Sequence, residues 1–293
     1  MCRLIINADD FGLTNGVNQA IIDAHQEGVV TSTTLMANSK CFDQAIQLAK
    51  TVPQLGIGCH VMLVDGEPGL NAGDVGSLLA GRNSSKLRNG FLSLAGSAIR
   101  GHINPEQIEA EATAQIRKIQ STGWALTHFD THKHTHMLPQ ILSPLLRAAQ
   151  ACGVRALRNP FPPLLRLPAT QLLKRPALWA RCAQLLALQT LRAQFCRLIE
   201  QHQMMTTDGT LGIVVTGNLN QELFEVIVGS IPDGTWEFLC HPGYEDQELR
   251  QVRTRLRASR AQELKILTSP ESREALKRRG VELISYHDLV AQS

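Results

Sequence analysis

Aromatic side chains make up only 4% of this 293-residue chain, and no run of Lys or Arg is interleaved with them. Single-stranded nucleic acids are gripped by exactly that combination of stacking rings and basic groove, so no nucleic-acid partner is expected. An excess of charge of one sign is also missing: 29 Lys and Arg stand against 26 Asp and Glu, a formal balance of +3. That is too mild to suggest a polyanion as partner. The seven cysteines include no C-x-x-C pair, which suits a reducing cytosol better than a disulfide framework. No basic region followed by a long apolar stretch precedes Leu4-Ile5-Ile6, so no signal peptide is expected and the location is read as cytoplasmic. What the chain does have is 43% hydrophobic residues. That is enough for a sizeable core and excludes general disorder.

The most informative stretch is Thr127-His128-Phe129-Asp130-Thr131-His132-Lys133-His134-Thr135-His136, in which every even position is His or Asp. An extended backbone sends alternate side chains to one face. It would therefore gather four imidazoles and a carboxylate on one side, where unpaired polar groups pack poorly. Same-face neighbours lie about 6.6 Å apart along a strand, so one ion cannot take all five. One or two ligands are expected from this run, with the others holding those ligands or the substrate.

Three further segments supply partners. Leu4-Ile5-Ile6-Asn7-Ala8-Asp9-Asp10-Phe11-Gly12, Leu55-Gly56-Ile57-Gly58-Cys59-His60 and Trp236-Glu237-Phe238-Leu239-Cys240-His241-Pro242-Gly243 are strand-like runs. Each carries its carboxylate or imidazole at its C-terminal end, where (β/α) barrels gather catalytic groups from several strands. Cys59 and Cys240 precede candidate histidines and would face the opposite side, as packing residues.

Strand-like runs recur near 4–9, 30–36, 56–63, 125–130, 154–158, 211–215, 235–240 and 281–286, with helix-length segments between them. Thr14 or Asn15 caps the first helix, whose apolar stripe is Val17, Ala20, Ile21 and Ala24. Pro105 and Pro139 open two more. The pattern predicts an α/β fold over 1–293, a distorted (β/α) TIM-like barrel, in preference to a doubly wound open sheet. Residues 66–100, rich in Gly, Asn and Ser, read as a rim loop with a little helix. Residues 160–200 form a Leu- and Arg-rich insertion with two readings: a buried helix or homodimer interface, and a flap for a lipid-like substrate or an anionic membrane surface. Leu164, Leu165, Leu172, Leu173, Leu178 and Trp179 would supply its apolar area, with Lys174, Arg175 and Arg181 among them. The flap reading extends the cytoplasmic location to the inner face of the membrane.

Asn7-Ala8-Asp9-Asp10-Phe11-Gly12, Gly56-Ile57-Gly58-Cys59-His60, the His run and Cys240-His241-Pro242-Gly243 together resemble the signature segments of the YdjC-like carbohydrate deacetylases, in the same order along the chain. Arg158-Asn159-Pro160-Phe161, Val215-Thr216-Gly217, Cys240 to Asp246, Thr254 to Arg257, Ser259-Arg260 and Glu263-Leu264 resemble a narrower branch, the deacetylases associated with hopanoid biosynthesis. The resemblance implies a deacetylase-type barrel and one divalent metal held by Asp10, His60 and His132. It also implies an N-acetylated sugar as substrate, on a hopanoid glycolipid or in a soluble chitooligosaccharide.

Amide hydrolysis needs an activated water, an oxyanion stabiliser and a proton for the leaving amine. Asp9 is assigned as general base and His241 as general acid; the roles of Asp9 and Asp10 could be exchanged. In a regular strand these neighbours point apart, so the turn before Gly12 has to rotate one of them. Asp130 shares the face of His132 and would hold its second nitrogen. His128, His134, His136 and Arg158 are the remaining substrate or supporting residues, His134 and His136 beyond the barrel rim. Glu237 reads as a buried pairing group. Two His and one Asp suit zinc chemically, whereas the family is associated with magnesium, so the metal is left open between the two. The competing readings are a metal phosphoesterase, for which Arg158 is the one phosphate clamp in view, and a non-catalytic sugar-binding protein.

Overall fold

The structure of the chain is a computed structural model that describes residues 1–81, 83–163 and 176–291, without side chains for 176–181. Its centre is a parallel sheet of β1 (Cys2–Phe11), β2 (Ser32–Leu35), β3 (Gly56–Val61), β4 (Phe129–Thr131), β5 (Gly209–Leu211), β6 (Gly234–Cys240) and β7 (Val281–Leu283). The order across the sheet is β4-β3-β2-β1-β6-β5, and β7 pairs with the first residues of β1. Parallel neighbours require crossovers. These are supplied by α1 (Asn15–Gln26), α2 (Phe42–Ala49), α3 (Gly90–Ile99), α4 (Pro105–Gln120), α5 (Pro139–Ala151), α6 (Pro176–Leu188), α7 (Arg192–Gln201), α8 (Gln221–Gly229), α9 (Gln247–Gln251), α10 (Ala258–Leu267) and α11 (Pro270–Arg279), with α12 (Tyr286–Ala291) closing the described chain.

The sheet curls into an incomplete barrel, an α/β fold of the expected type. The run at 154–158 is not a full strand among the described residues. It makes isolated parallel bridges, Phe129 with Leu157 and Ala156 with Met205. These bridges span the side between β4 and the chain leading into β5. The helix signals match the structure: Thr14 Oγ1 accepts the Val17 N–H at 3.1 Å, Pro105 and Pro139 occupy first-turn positions, and Val17, Ala20, Ile21 and Ala24 are buried. The 66–100 rim carries one 3₁₀ turn and α3.

Alternate residues of each strand meet two different environments. Leu4, Ile6, Ala8, Ile57, Cys59, Phe129, Phe238 and Cys240 pack outward into the main apolar core, and fully burying side chains of the larger kind contributes about 1.5–3 kcal/mol each. Facing inward are Asn7, Asp9, His60, His128, Asp130, Arg158 and Glu237, none more than 3% exposed. A small second apolar cluster of Ile5, Ala156, Ile284 and Tyr286 fills the end of the barrel nearest the strand N-termini. In it Tyr286 stacks on His128, with ring centroids 3.6 Å apart. Gly58 makes room for that imidazole, since a Cβ there would lie 2.5 Å from its Cε1.

Of the insertion, residues 164–175 lie outside the described residues, so Leu164, Leu165, Leu172, Leu173, Lys174 and Arg175 have no structural account here, nor do the side chains of Leu178, Trp179 and Arg181. The rest is α6, a 3₁₀ turn and α7, whose Phe195 and Ile199 are buried. Among the described residues, no helix is long and apolar enough to cross a membrane.

Candidate metal and acid–base site

The C-terminal ends of β1, β3, β4 and β6 bring the site together. At the end of β1 the register with β2 shifts between Ala8 and Phe11, and Asp10 takes φ 69°. That is the rotation required to turn two adjacent carboxylates toward one place. Asp is among the residues that tolerate this left-handed conformation best.

Asp10 Oδ1 lies 3.5 Å from His60 Nε2 and 3.5 Å from His132 Nδ1, and the two imidazole nitrogens are 3.2 Å apart. Donors about 2.0–2.2 Å from one cation in tetrahedral array are spread by about 3.3–3.6 Å, so this triangle fits a single metal ion. Asp10 Oδ1 is also buried without a hydrogen-bond partner, an arrangement that is rarely left unsatisfied. His60 passes its other nitrogen, Nδ1, to Asp130 Oδ1 at 2.7 Å, the carboxylate–histidine pairing that orients metal-binding imidazoles. Asp130 therefore holds His60 and not His132. It sits opposite His60 in the β3–β4 register, and His132 has already left the strand.

A second group, Asp9, His60 and Asp130, also brings three donors together. Its carboxylates are already engaged. Arg158 Nη1 and Nη2 donate to Asp9 Oδ2 and Oδ1 at 2.8 and 2.6 Å, Nε donates to Glu237 Oε1 at 2.7 Å, and Nη1 also pairs with Asp130 Oδ2. Glu237 is completed by the Tyr286 hydroxyl at 2.6 Å. Burial would raise the Asp9 pKa, but Arg158 outweighs it and holds the carboxyl below its ordinary range. For Asp10 the same contest is won by Arg260, helped by His132, again downward. Burial alone would lower His60; the Asp130, Asp9 and Asp10 carboxylates lift it to about 9. Arg158, fully buried and committed to three carboxylates, is not available to clamp a phosphate.

His241 follows β6 and lies across the site, its Nε2 4.0 Å from Asp9 Oδ2. Burial pushes its pKa down to about 4, so the resting imidazole is neutral at pH 7.

The strand, expected near 125–130, is Phe129–Thr131, so the extended backbone does not run on through the His run. Beyond it, His132–Met137 is a 3₁₀ turn in which Lys133 and His134 take left-handed φ of 57° and 53°. The chain must leave the barrel and enter α5 at Pro139 within eight residues of β4's end, which a continued strand would prevent. His136 is thereby buried rather than beyond the rim, with Nδ1 2.7 Å from Thr131 Oγ1. His134 is partly exposed, and its Nδ1 has no partner. His128 lies deep in the barrel, against Tyr286 and 3.2 Å from Asn7 Oδ1, too enclosed to touch a substrate.

Two site residues carried only the branch resemblance and were given no place in the site: Arg260, whose Nη2 donates to Asp10 Oδ2, and Glu263, whose Oε2 accepts the His241 N–H at 2.6 Å. Both follow His-Pro-Gly by about twenty residues, a separation that carries no periodic signal. Only the return of α10 over the strand ends brings them in.

A sequence profile described as YdjC-like protein matches residues 3–278. The chain belongs to the YdjC-like family. It is 34% identical over 288 residues to a carbohydrate deacetylase of Brevibacillus brevis, covering 98% of this chain and 99% of that one. A carbohydrate deacetylase of Geobacillus stearothermophilus is 33% identical, with 97% and 96% covered. Among solved structures, a putative cellobiose-phosphate cleavage protein from Enterococcus faecalis V583 superposes with a TM-score of 0.77 at 28% identity, covering 98% of each chain. These relatives support the fold and the family, whereas the narrower hopanoid-associated branch has no counterpart among them.

Proposed function

We propose that this protein is a metal-dependent carbohydrate deacetylase that hydrolyses the N-acetyl group of an N-acetylglucosamine-type sugar. The observation that carries the reading is the donor triangle of Asp10, His60 and His132 with Asp9 and His241 facing the same space. The deacetylase relatives and the family membership add support. A divalent cation held by those three residues supplies Lewis acidity, polarising an amide carbonyl and making water more acidic.

The protein's own groups handle the protons. Asp9, ionised and fixed by Arg158 through both oxygens, is aligned to take a proton from the attacking water. Its depressed pKa makes it a weak base, and His241 Nε2, 4.0 Å away, is the stronger one. The proton therefore passes on to the imidazole and from there to the departing amine nitrogen. A neutral resting His241 suits this order, because the imidazole becomes an acid only after the water has been deprotonated. The Arg158 network holds Asp9 in one orientation throughout, and the buried walls restrict competing water.

A lipid-linked form of the sugar is favoured by one further feature. A cavity of about 130 Å³, lined by Pro162, Leu185, Leu186, Leu211, Ile213 and Val215 among others, opens beside the C-terminal end of β5. Its lining is almost wholly apolar and offers a contact surface for part of a hydrocarbon aglycone, such as that of a hopanoid.

Acetate release from N-acetylglucosaminyl oligomers and from a glycolipid bearing the same sugar, before and after chelation and with zinc or magnesium restored, tests the proposal. Metal-dependent acetate is expected from both, with a higher kcat/KM for the glycolipid. Equal kcat/KM values would remove the lipid preference, and no acetate from any N-acetylated sugar would remove the deacetylase reading.

A further inference from the structure

Helix α10 reaches the site from outside the barrel and touches it at two points. Arg260, 1% exposed, donates Nη2 to Asp10 Oδ2 and Nε to the Leu256 carbonyl at 3.1 Å. The second contact fixes the guanidinium, so Asp10 is gripped on one oxygen while the other, Oδ1, is left facing His60 and His132. Three residues along, on the same face of the helix, Glu263 is 2% exposed. Its Oε2 accepts the His241 backbone N–H at 2.6 Å and its Oε1 accepts the Gly217 N–H at 3.4 Å.

The chain after His241 is pressed onto the same helix. The Gly243 N–H donates to the Arg260 carbonyl at 3.3 Å, and a Cβ on Gly243 would stand 2.9 Å from Arg260 Cδ. One helix thus holds the carboxylate on one side of the site and the backbone of the imidazole on the other, although those residues come from different strands.

We propose that α10 is the alignment element of the site, with Arg260 positioning the Asp10 carboxylate for metal and Glu263 positioning His241 for proton transfer. Both are positioning residues: neither has been placed against the reacting atoms. The Glu263 half rests on the deacetylase reading; the Arg260 half needs only the metal site.

The two halves separate experimentally. Zinc affinity is measured on the full-length chain by competition with a chromophoric chelator, alongside kcat and KM for acetate release from an N-acetylglucosaminyl oligomer. Arg260→Gln is expected to bind zinc about 10–100-fold more weakly, and Arg260→Lys, which keeps the charge but not the two-point grip, to fall between it and the parent. Glu263→Gln should retain zinc affinity within about twofold while kcat drops roughly tenfold or more at near-constant KM, with Glu263→Asp partly restoring it. Circular dichroism of each variant confirms the fold, and Arg260→Lys serves if Arg260→Gln does not fold. Parental zinc affinity in folded Arg260 variants would overturn the first half. An unchanged kcat in Glu263→Gln, or a zinc loss equal to that of Arg260→Gln, would overturn the second. A parent that binds zinc but releases no acetate would sink the deacetylase reading and the Glu263 half with it, while the Arg260 half still stands or falls on affinity alone.

Discussion

The two faces of the barrel strands are built from alternate residues of the same segments, yet they do opposite work. On the outer face Leu4, Ile6, Ala8 and Phe238 join the apolar core, where burial is non-directional and a neighbour can shift to fill a gap. On the inner face Asp9, Asp130 and Glu237 all converge on Arg158. Buried charges of this kind add little net stability compared with apolar residues of the same volume, but removing one partner leaves the others uncompensated. The outer face therefore carries the stability of the fold, while the inner face carries orientation and is intolerant of single changes.

The largest expected effect tests that intolerance. Arg158→Leu strands three carboxylates in a water-excluded interior and should lower unfolding free energy by roughly 3–5 kcal/mol, read by urea denaturation. A loss no larger than that of an outer-face methyl deletion would erase the distinction. Next come the donors. Asp10→Ala, His60→Ala and His132→Ala should each lose bound metal and on the order of a thousandfold in turnover while still folding; stoichiometric metal in any of them by elemental analysis would take that residue out of the triangle. Asp9→Asn should keep the metal and lose about 10²–10⁴ in turnover. Metal loss in that variant would exchange the roles of the two aspartates.

The inner face should also make the metal-free protein acid-sensitive. Burial holds His241 at about 4, and His128 and His136 well below their ordinary value. In the unfolded chain each titrates near about 6.5. Unfolded molecules then bind protons first as pH falls, so stability present above about 6.5 is lost progressively toward 4. Glu263, lifted to about 7, and His60, lifted to about 9, act in the other direction, their contribution fading as pH rises through those values. Melting temperatures of chelated protein across pH 4.5–9.5 should peak near neutrality and fall on both sides. A flat acid limb would contradict the buried neutral histidines. The smallest effect belongs to the outer face: Ile6→Val should lower stability by about 1 kcal/mol and leave metal binding unchanged.

Much of this architecture was legible because strand alternation and chain-end chemistry are local. Asp10, His60, His132 and His241 could be placed at strand ends from their own segments, and the rotation between Asp9 and Asp10 followed from two adjacent carboxylates needing one destination. What could not be read depended on contacts made far along the chain. The alternation placed His134 and His136 beyond the rim, but the turn into α5, with left-handed residues at Lys133 and His134, folds His136 back into the interior. Asp130 was matched to its neighbour in sequence, His132, when the β3–β4 register sets it opposite His60. Arg158 was left between substrate contact and support, a choice its three buried carboxylate partners decide, and Arg260 and Glu263 showed a resemblance but no role because α10 meets the strand ends only in three dimensions.

The central claim is that one cation sits among Asp10, His60 and His132. An anomalous-difference map from a crystal of this protein soaked with zinc, collected on both sides of the zinc edge, tests it most directly. The account predicts a single strong peak within bonding distance of Asp10 Oδ1, His60 Nε2 and His132 Nδ1, with Arg158 still bound to Asp9. A peak on the Asp9, His60 and Asp130 group with Arg158 displaced, or no peak in the barrel mouth, would contradict it.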